Sequence, residues 1–111
     1  MAGTHNIQID QGSDFALDLT VTESGSAKNL TGYSARAQIR STKAASSVSA
    51  SFTCSVVNAA AGTLKMELPN ATSSGLSAGQ YFYDLEIFTS GNVIVQRLIE
   101  GTVTLNQEVT R

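Results

Sequence analysis

GQYFYDLEIFTSGNVIVQRLIEGTVTLNQEVTR, residues 79–111, reads as two runs of alternating apolar and polar residues joined by Ser90-Gly91-Asn92 and followed by a polar tail. Tyr81, Tyr83, Leu85 and Ile87 fall on one face of a strand and Asp84 and Glu86 on the other, because successive side chains of an extended chain point to opposite sides. The Ser-Gly-Asn link supplies residues that tolerate positive φ, so the segment predicts a β-hairpin. Beyond the turn, Val93, Val95, Ile99, Val103 and Leu105 keep an odd-numbered apolar phase, but Arg97 falls in that phase and Leu98 does not. Either a β-bulge near Gly101 resets the register, or Arg97 lies at a sheet edge with its stem folded over apolar surface. The bulge is the favoured reading.

The same alternation recurs upstream. Ile7 and Ile9 share one face of a short run from His5 to Asp10. After the turn Gln11-Gly12-Ser13-Asp14, the residues Phe15, Leu17, Leu19 and Val21 share another. Glu23 to Asn29 reads as a polar loop. Tyr33, Ala35, Ala37 and Ile39 then oppose Ser34, Arg36, Gln38 and Arg40. Ser41 to Ser47 is expected to be a mobile surface loop. Val48, Ala50, Phe52, Cys54 and Val56 resume the pattern, and after a turn at Asn58 to Gly62 so do Leu64, Met66 and Leu68. Pro69 ends that strand because it has no amide hydrogen for a ladder. Asn70 to Leu76 suits one helical turn with Asn70 as its cap. Short strands at this spacing predict an all-β fold, sandwich or barrel, of about seven to eight antiparallel strands. The expectation is a single domain spanning residues 1–111, with flexible arms at 1–6 and 106–111.

Composition narrows the function. Only 14% of the 111 residues are charged and the formal net charge is −2. Lys28, Arg36, Arg40, Lys43, Lys65, Arg97 and Arg111 are spread along the chain, so nucleic acid is not an expected partner. Cys54 is the only cysteine, which rules out an intrachain disulfide and a thiolate metal cage, and its phase with Phe52 and Val56 reads as a structural thiol. No apolar run approaches the roughly 20 residues of a membrane span, and the opening Met-Ala-Gly-Thr-His lacks the regions of a secretory signal. Synthesis and folding in a cytoplasm are expected.

Catalytic chemistry has little to draw on. His5 is the sole histidine and lies near a terminus, so a Ser-His-Asp arrangement is disfavoured. Asp84 and Glu86 share a face and could act as paired carboxylates, but the outer, wet face of an antiparallel strand is the favoured reading. Asp10, Asp14 and Asp18 lack the ligand density of a calcium loop. The glycines form no phosphate-binding string. Tyr33, Tyr81 and Tyr83 could stack on a sugar ring, although their phase favours the core. No enzyme activity, cofactor, metal or small-molecule substrate is expected.

Three segments resemble a known family: Leu30-Thr31-Gly32-Tyr33-Ser34-Ala35-Arg36-Ala37-Gln38-Ile39-Arg40, then Leu76-Ser77-Ala78-Gly79-Gln80-Tyr81-Phe82-Tyr83-Asp84-Leu85-Glu86, and Arg97-Leu98-Ile99-Glu100-Gly101-Thr102-Val103-Thr104-Leu105 with the closing Glu108-Val109-Thr110-Arg111. They are similar to the small immunoglobulin-like β-sandwich virion proteins of tailed bacteriophages. A looser likeness is to the N-terminal domain of siphophage upper-baseplate proteins, in which an LTG turn also follows a first hairpin. The resemblance covers nearly the whole chain from Asp14 onward. It implies a non-enzymatic particle component, a tail, baseplate or adaptor protein, made in the host cytoplasm and built into the virion as a homo-oligomer or multi-copy assembly with other virion proteins. Capsid decoration (cement) and a host-surface or carbohydrate-binding module are the alternatives. One of the two arms is expected to order only on contact with a partner.

Overall fold

The computed structural model describes residues 3–23 and 25–109. Its ten strands are β1 (Gly3–Thr4), β2 (Ile7–Asp10), β3 (Phe15–Thr20), β4 (Thr22–Glu23), β5 (Ser26–Ala27), β6 (Tyr33–Arg40), β7 (Ala50–Asn58), β8 (Thr63–Leu68), β9 (Gly79–Thr89) and β10 (Val95–Asn106). A short helix, α1 (Asn70–Ser74), and a 3-10 turn at Ser90–Asn92 complete the described elements. The fold is therefore all-β. No helix among the described residues is long and apolar enough to cross a membrane.

Eight strands form one curled sheet in the order β1-β10-β9-β6-β7-β8-β3, with β2 also on β10, while β4 and β5 make a separate two-stranded hairpin inside the expected polar loop. The curl has a local cause in β7. Its first residues pair with β6 (Ala37 with Phe52) and its later ones with β8 (Cys54 with Met66), so one strand belongs to both halves. The inner faces of the halves share a core, in which Ile39, Met66, Leu68, Leu85, Ile87 and Val103 are wholly buried. Phe52 links the two halves, its ring 6.0 Å from that of Phe15 and 6.1 Å from that of Tyr83.

The sheet is mixed, which corrects the expectation of antiparallel strands throughout. β1 and β2 both run parallel to β10, pairing Gly3 with Ile99 and Val103 with Ile7. Residues 3–6, which fall in the expected N-terminal arm, hydrogen-bond to β9 and β10. The His5 amide donates to the Glu100 carbonyl at 2.9 Å, the Tyr83 hydroxyl donates to the His5 carbonyl at 2.5 Å, and the Thr102 amide donates to the Asn6 side chain at 3.1 Å. At the other end the Glu108 amide donates to the Gln11 side chain at 3.2 Å. Of the two expected arms, residues 1, 2, 110 and 111 lie outside the described residues, as does Ser24 of the polar loop.

The bulge in β10 exists but sits at Leu98, not near Gly101: Arg97 faces Glu86 while Ile99 faces Leu85. One extra residue flips the phase, so Arg97 points outward and Ile99, Val103 and Leu105 point inward. Val93 and Val95, read as part of the apolar phase, are exposed at the hairpin tip. Gly101 serves another purpose, since a Cβ there would lie 2.4 Å from the His5 carbonyl oxygen.

Helix α1 is capped by a remote residue. Pro69 occupies the cap position without a side-chain acceptor, and Asn70 is the first helical residue rather than the cap. The Asp14 carboxylate accepts from the Asn70 amide at 2.7 Å and from its side-chain nitrogen at 2.9 Å. Asp14→Ala should therefore cost about 1 kcal/mol, the usual loss of an N-cap, read from urea unfolding. Buried Ser73 strengthens the same junction, donating to the Ser13 carbonyl at 2.8 Å and accepting from the Gly12 amide at 3.1 Å.

Candidate functional site

The outward faces of β6, β9 and β10 form an open groove of about 530 Å³. Register sets the outward side chains of the three strands in rows: Arg36, Glu86 and Arg97, then Gln38, Asp84 and Glu100, then Arg40 and Phe82, with Thr102 beside Phe82 beyond the groove lining. Arg36 Nε donates to Glu86, Arg36 Nη1 lies 3.3 Å from Asn92 Oδ1, and the guanidinium stacks 4.2 Å from the Phe88 ring centroid. Arg97 Nε forms an ion pair with the Asp84 carboxylate at 3.2 Å. Arg40 holds the start of the following loop by donating to the Ala45 carbonyl at 2.9 Å and to Gln38 Oε1 at 3.1 Å. Lys43, on that loop, stands 4.0 Å from Glu100.

Four of the seven Lys and Arg residues thus meet on one face, although they are scattered in sequence. The signal that points to them is the even phase of β6, which puts Arg36 and Arg40 on one side, together with the reset at Leu98 that turns Arg97 to join them. Three carboxylates interleave with these cations, so the face presents alternating signs rather than a phosphate-binding stripe. Asp84 and Glu86 lie on this outer face, each ion-paired with an arginine. Ion pairs at a solvent-facing sheet surface contribute little to folding, and although the Arg36–Glu86 pair is partly buried, Glu86→Ala should cost under about 1 kcal/mol in a thermal melt.

The other candidate residues do not gather. Asp14 caps α1, Asp10 accepts from the Asn106 side chain at 3.2 Å, and Asp18 faces Lys65 across β3 and β8. Among the described residues no three His, Cys, Asp or Glu side chains come together as a metal site would require. His5 is exposed and is held through its main chain. The tyrosines are each engaged: Lys28 lies over the Tyr33 ring at 5.3 Å, Tyr81 donates to the Ser77 carbonyl at 2.7 Å, and Tyr83 donates to His5.

Cys54 is half-buried on β7, and desolvation pushes its thiol up to about 11, away from the reactive thiolate. Desolvation likewise pushes the Tyr83 phenol up to about 12. Both groups are held neutral by the fold, so their contribution is complete below their ordinary values of 9.0 and 10.0 and is lost as pH rises through 11 to 12. The melting temperature should fall over that alkaline range, and Cys54→Ala with Tyr83→Phe should flatten the fall.

No protein-family model matches the sequence, and comparison with curated proteins finds no match. Among solved structures, InlP of Listeria monocytogenes aligns with 95% of this chain and 28% of its own, at 18% identity and a TM-score of 0.50. A family 123 glycoside hydrolase from Clostridium perfringens aligns with 98% of this chain and 24% of its own, at 9% identity and a TM-score of 0.44. The chain thus spans less than a third of either protein. At 18% identity the first likeness is one of fold alone.

Proposed function

We propose that this chain is an immunoglobulin-like β-sandwich that works through protein–protein contacts, as a tail, baseplate or adaptor component of a tailed-phage particle. The sandwich reading draws on strand order: on either side of the β6–β7 link the sheet runs β7-β8-β3 and β6-β9-β10, an order that suits six of the seven strands of a Greek-key sandwich. It draws also on Tyr81. Near the start of β9, its hydroxyl returns to the main chain of Ser77, four residues upstream, which is the arrangement of a tyrosine corner.

The observation that carries the contact role is the outer face of β6, β9 and β10. Arginine and aromatic side chains are the types enriched at protein interfaces, and here Arg36, Arg40 and Arg97 stand among Phe82 and Phe88. Their guanidinium groups are already oriented by Glu86, Gln38 and Asp84, so less rotamer freedom is lost when a partner docks. The virion placement rests on the three segments that resemble phage proteins.

Mass spectrometry of purified particles, fractionated into isolated tails and tailless heads, tests the reading. Multi-copy retention with tails is expected, and Arg97→Glu with Arg40→Glu should reduce it. Absence from both fractions overturns the virion reading. Retention on heads alone would make the protein a capsid decoration.

A further inference from the structure

We propose that the free edge of β3 pairs with the same edge of a second copy of this chain, antiparallel and centred on Leu17, joining two sheets into one. Strand β3 ends the main sheet, and among the described residues no strand lies beyond it. The Val21 amide donates to the Gly62 carbonyl at 2.7 Å, continuing the β3–β8 register by one residue. The two-residue alternation of an antiparallel ladder then turns the main-chain groups of Phe15, Leu17 and Leu19 toward β8 and those of Ala16, Asp18 and Thr20 away from the sheet. Three alternate residues thus offer amides and carbonyls to a new strand.

The usual guards of an exposed edge are missing from β3. It pairs with β8 over six residues without a bulge, contains no proline, and carries its one charge, Asp18, on the outward face opposite Lys65. The other end of the sheet is broken into β1 and β2, of two and four residues, around His5 and Asn6. Short or irregular edges resist pairing; a regular one invites it. The inner face of β3 is also only partly covered. Phe15, Leu17 and Leu19 retain exposure, whereas the β8 residues opposite them, Leu68, Met66 and Leu64, are buried to 0%, 0% and 1%.

A second copy is the favoured occupant because the strand is complementary to itself in one register. Centred on Leu17, the pairing sets Leu17 against Leu17, Phe15 against Leu19 and Asp18 against Ala16 of the other copy, with no like charges opposed. Centring on Asp18 opposes Asp18 to itself, and centring on Ala16 opposes Asp18 to Asp14. Centring on Leu19 leaves Phe15 against Glu23.

This inference concerns the isolated protein and does not depend on the virion reading. Sedimentation from roughly 10 µM to roughly 1 mM, the range of weak interfaces, should show a monomer passing to a dimer. Hydrogen exchange of the wild-type protein should show the Ala16, Asp18 and Thr20 amides gaining protection over the same range. Leu17→Cys with Cys54→Ala should crosslink under mild oxidant, because directly opposed residues of a non-hydrogen-bonded pair lie within disulfide reach. Ala16→Pro removes an amide that the monomer does not use and should weaken association roughly tenfold or more. A monomer at the highest concentration overturns the proposal. So does a dimer whose protected amides lie elsewhere, or one that Ala16→Pro leaves intact.

Discussion

Leu85→Asp is expected to abolish the folded state. Leu85 is fully buried in the middle of β9, paired with Ala37 on β6 and Ile99 on β10. Its inner face belongs to a core with no buried side chain of opposite charge among the described residues, since Ser73 is the only buried polar residue. Removing the leucine forfeits about 1.5–3 kcal/mol of apolar burial. A carboxylate in its place adds the cost of an unpaired buried charge, or of the proton needed to neutralise it. Native domains are stable by only about 5–15 kcal/mol, and a small one has the lesser reserve. Circular dichroism should show loss of the β signal and of a cooperative transition at 25 °C. An unchanged melting temperature would mean that residue 85 does not face the core, and with it the phase assigned to the whole of β9 would fail. Glu86, one residue on, faces outward, so Glu86→Ala is the matched control.

That contrast between neighbours was legible in the sequence because alternation reports which face a side chain takes. It is silent on which strand lies alongside. Ile7 and Ile9 were readable as inward-facing, yet nothing in His5 to Asp10 announces a parallel partner 96 residues away at β10. The same limit hid the cap of α1, where Pro69-Asn70 looks locally self-sufficient while the acceptor is Asp14. Arg97 out of phase did signal a bulge. A glycine is the usual residue of a bulge, which points to Gly101, yet the extra residue is Leu98 and Gly101 instead clears space for the His5 carbonyl. The candidate face was half-visible: β6 displays Arg36 and Arg40 in phase, but Arg97 joins them only once the extra residue at Leu98 is counted.

Gly62→Ala should cost about 3 kcal/mol or more, well beyond the effect of the same change at Gly32. Both glycines have left-handed backbones, with φ of +71° at Gly62 and +83° at Gly32, where an L-residue costs about 1–2 kcal/mol. What differs is the space around them. A Cβ at Gly32 meets nothing within 4 Å, whereas at Gly62 it would lie 2.7 Å from both the Lys28 and the Val21 carbonyl oxygens. Neither obstacle is a side chain that can rotate away. Relief requires moving the main chain that leaves β3 and returns from β5, and that main chain is anchored: the Val21 amide donates to the Gly62 carbonyl at 2.7 Å, and the Leu30 amide donates to the Ala59 carbonyl at 2.8 Å. Displacing it loosens wholly buried Leu30 and the end of β3 together. Urea unfolding of the two variants separates strain from collision, since Gly32→Ala carries the first without the second. Equal losses would mean that Val21 and Lys28 do not pass over residue 62, and that the 21–30 segment crosses the β7–β8 turn elsewhere.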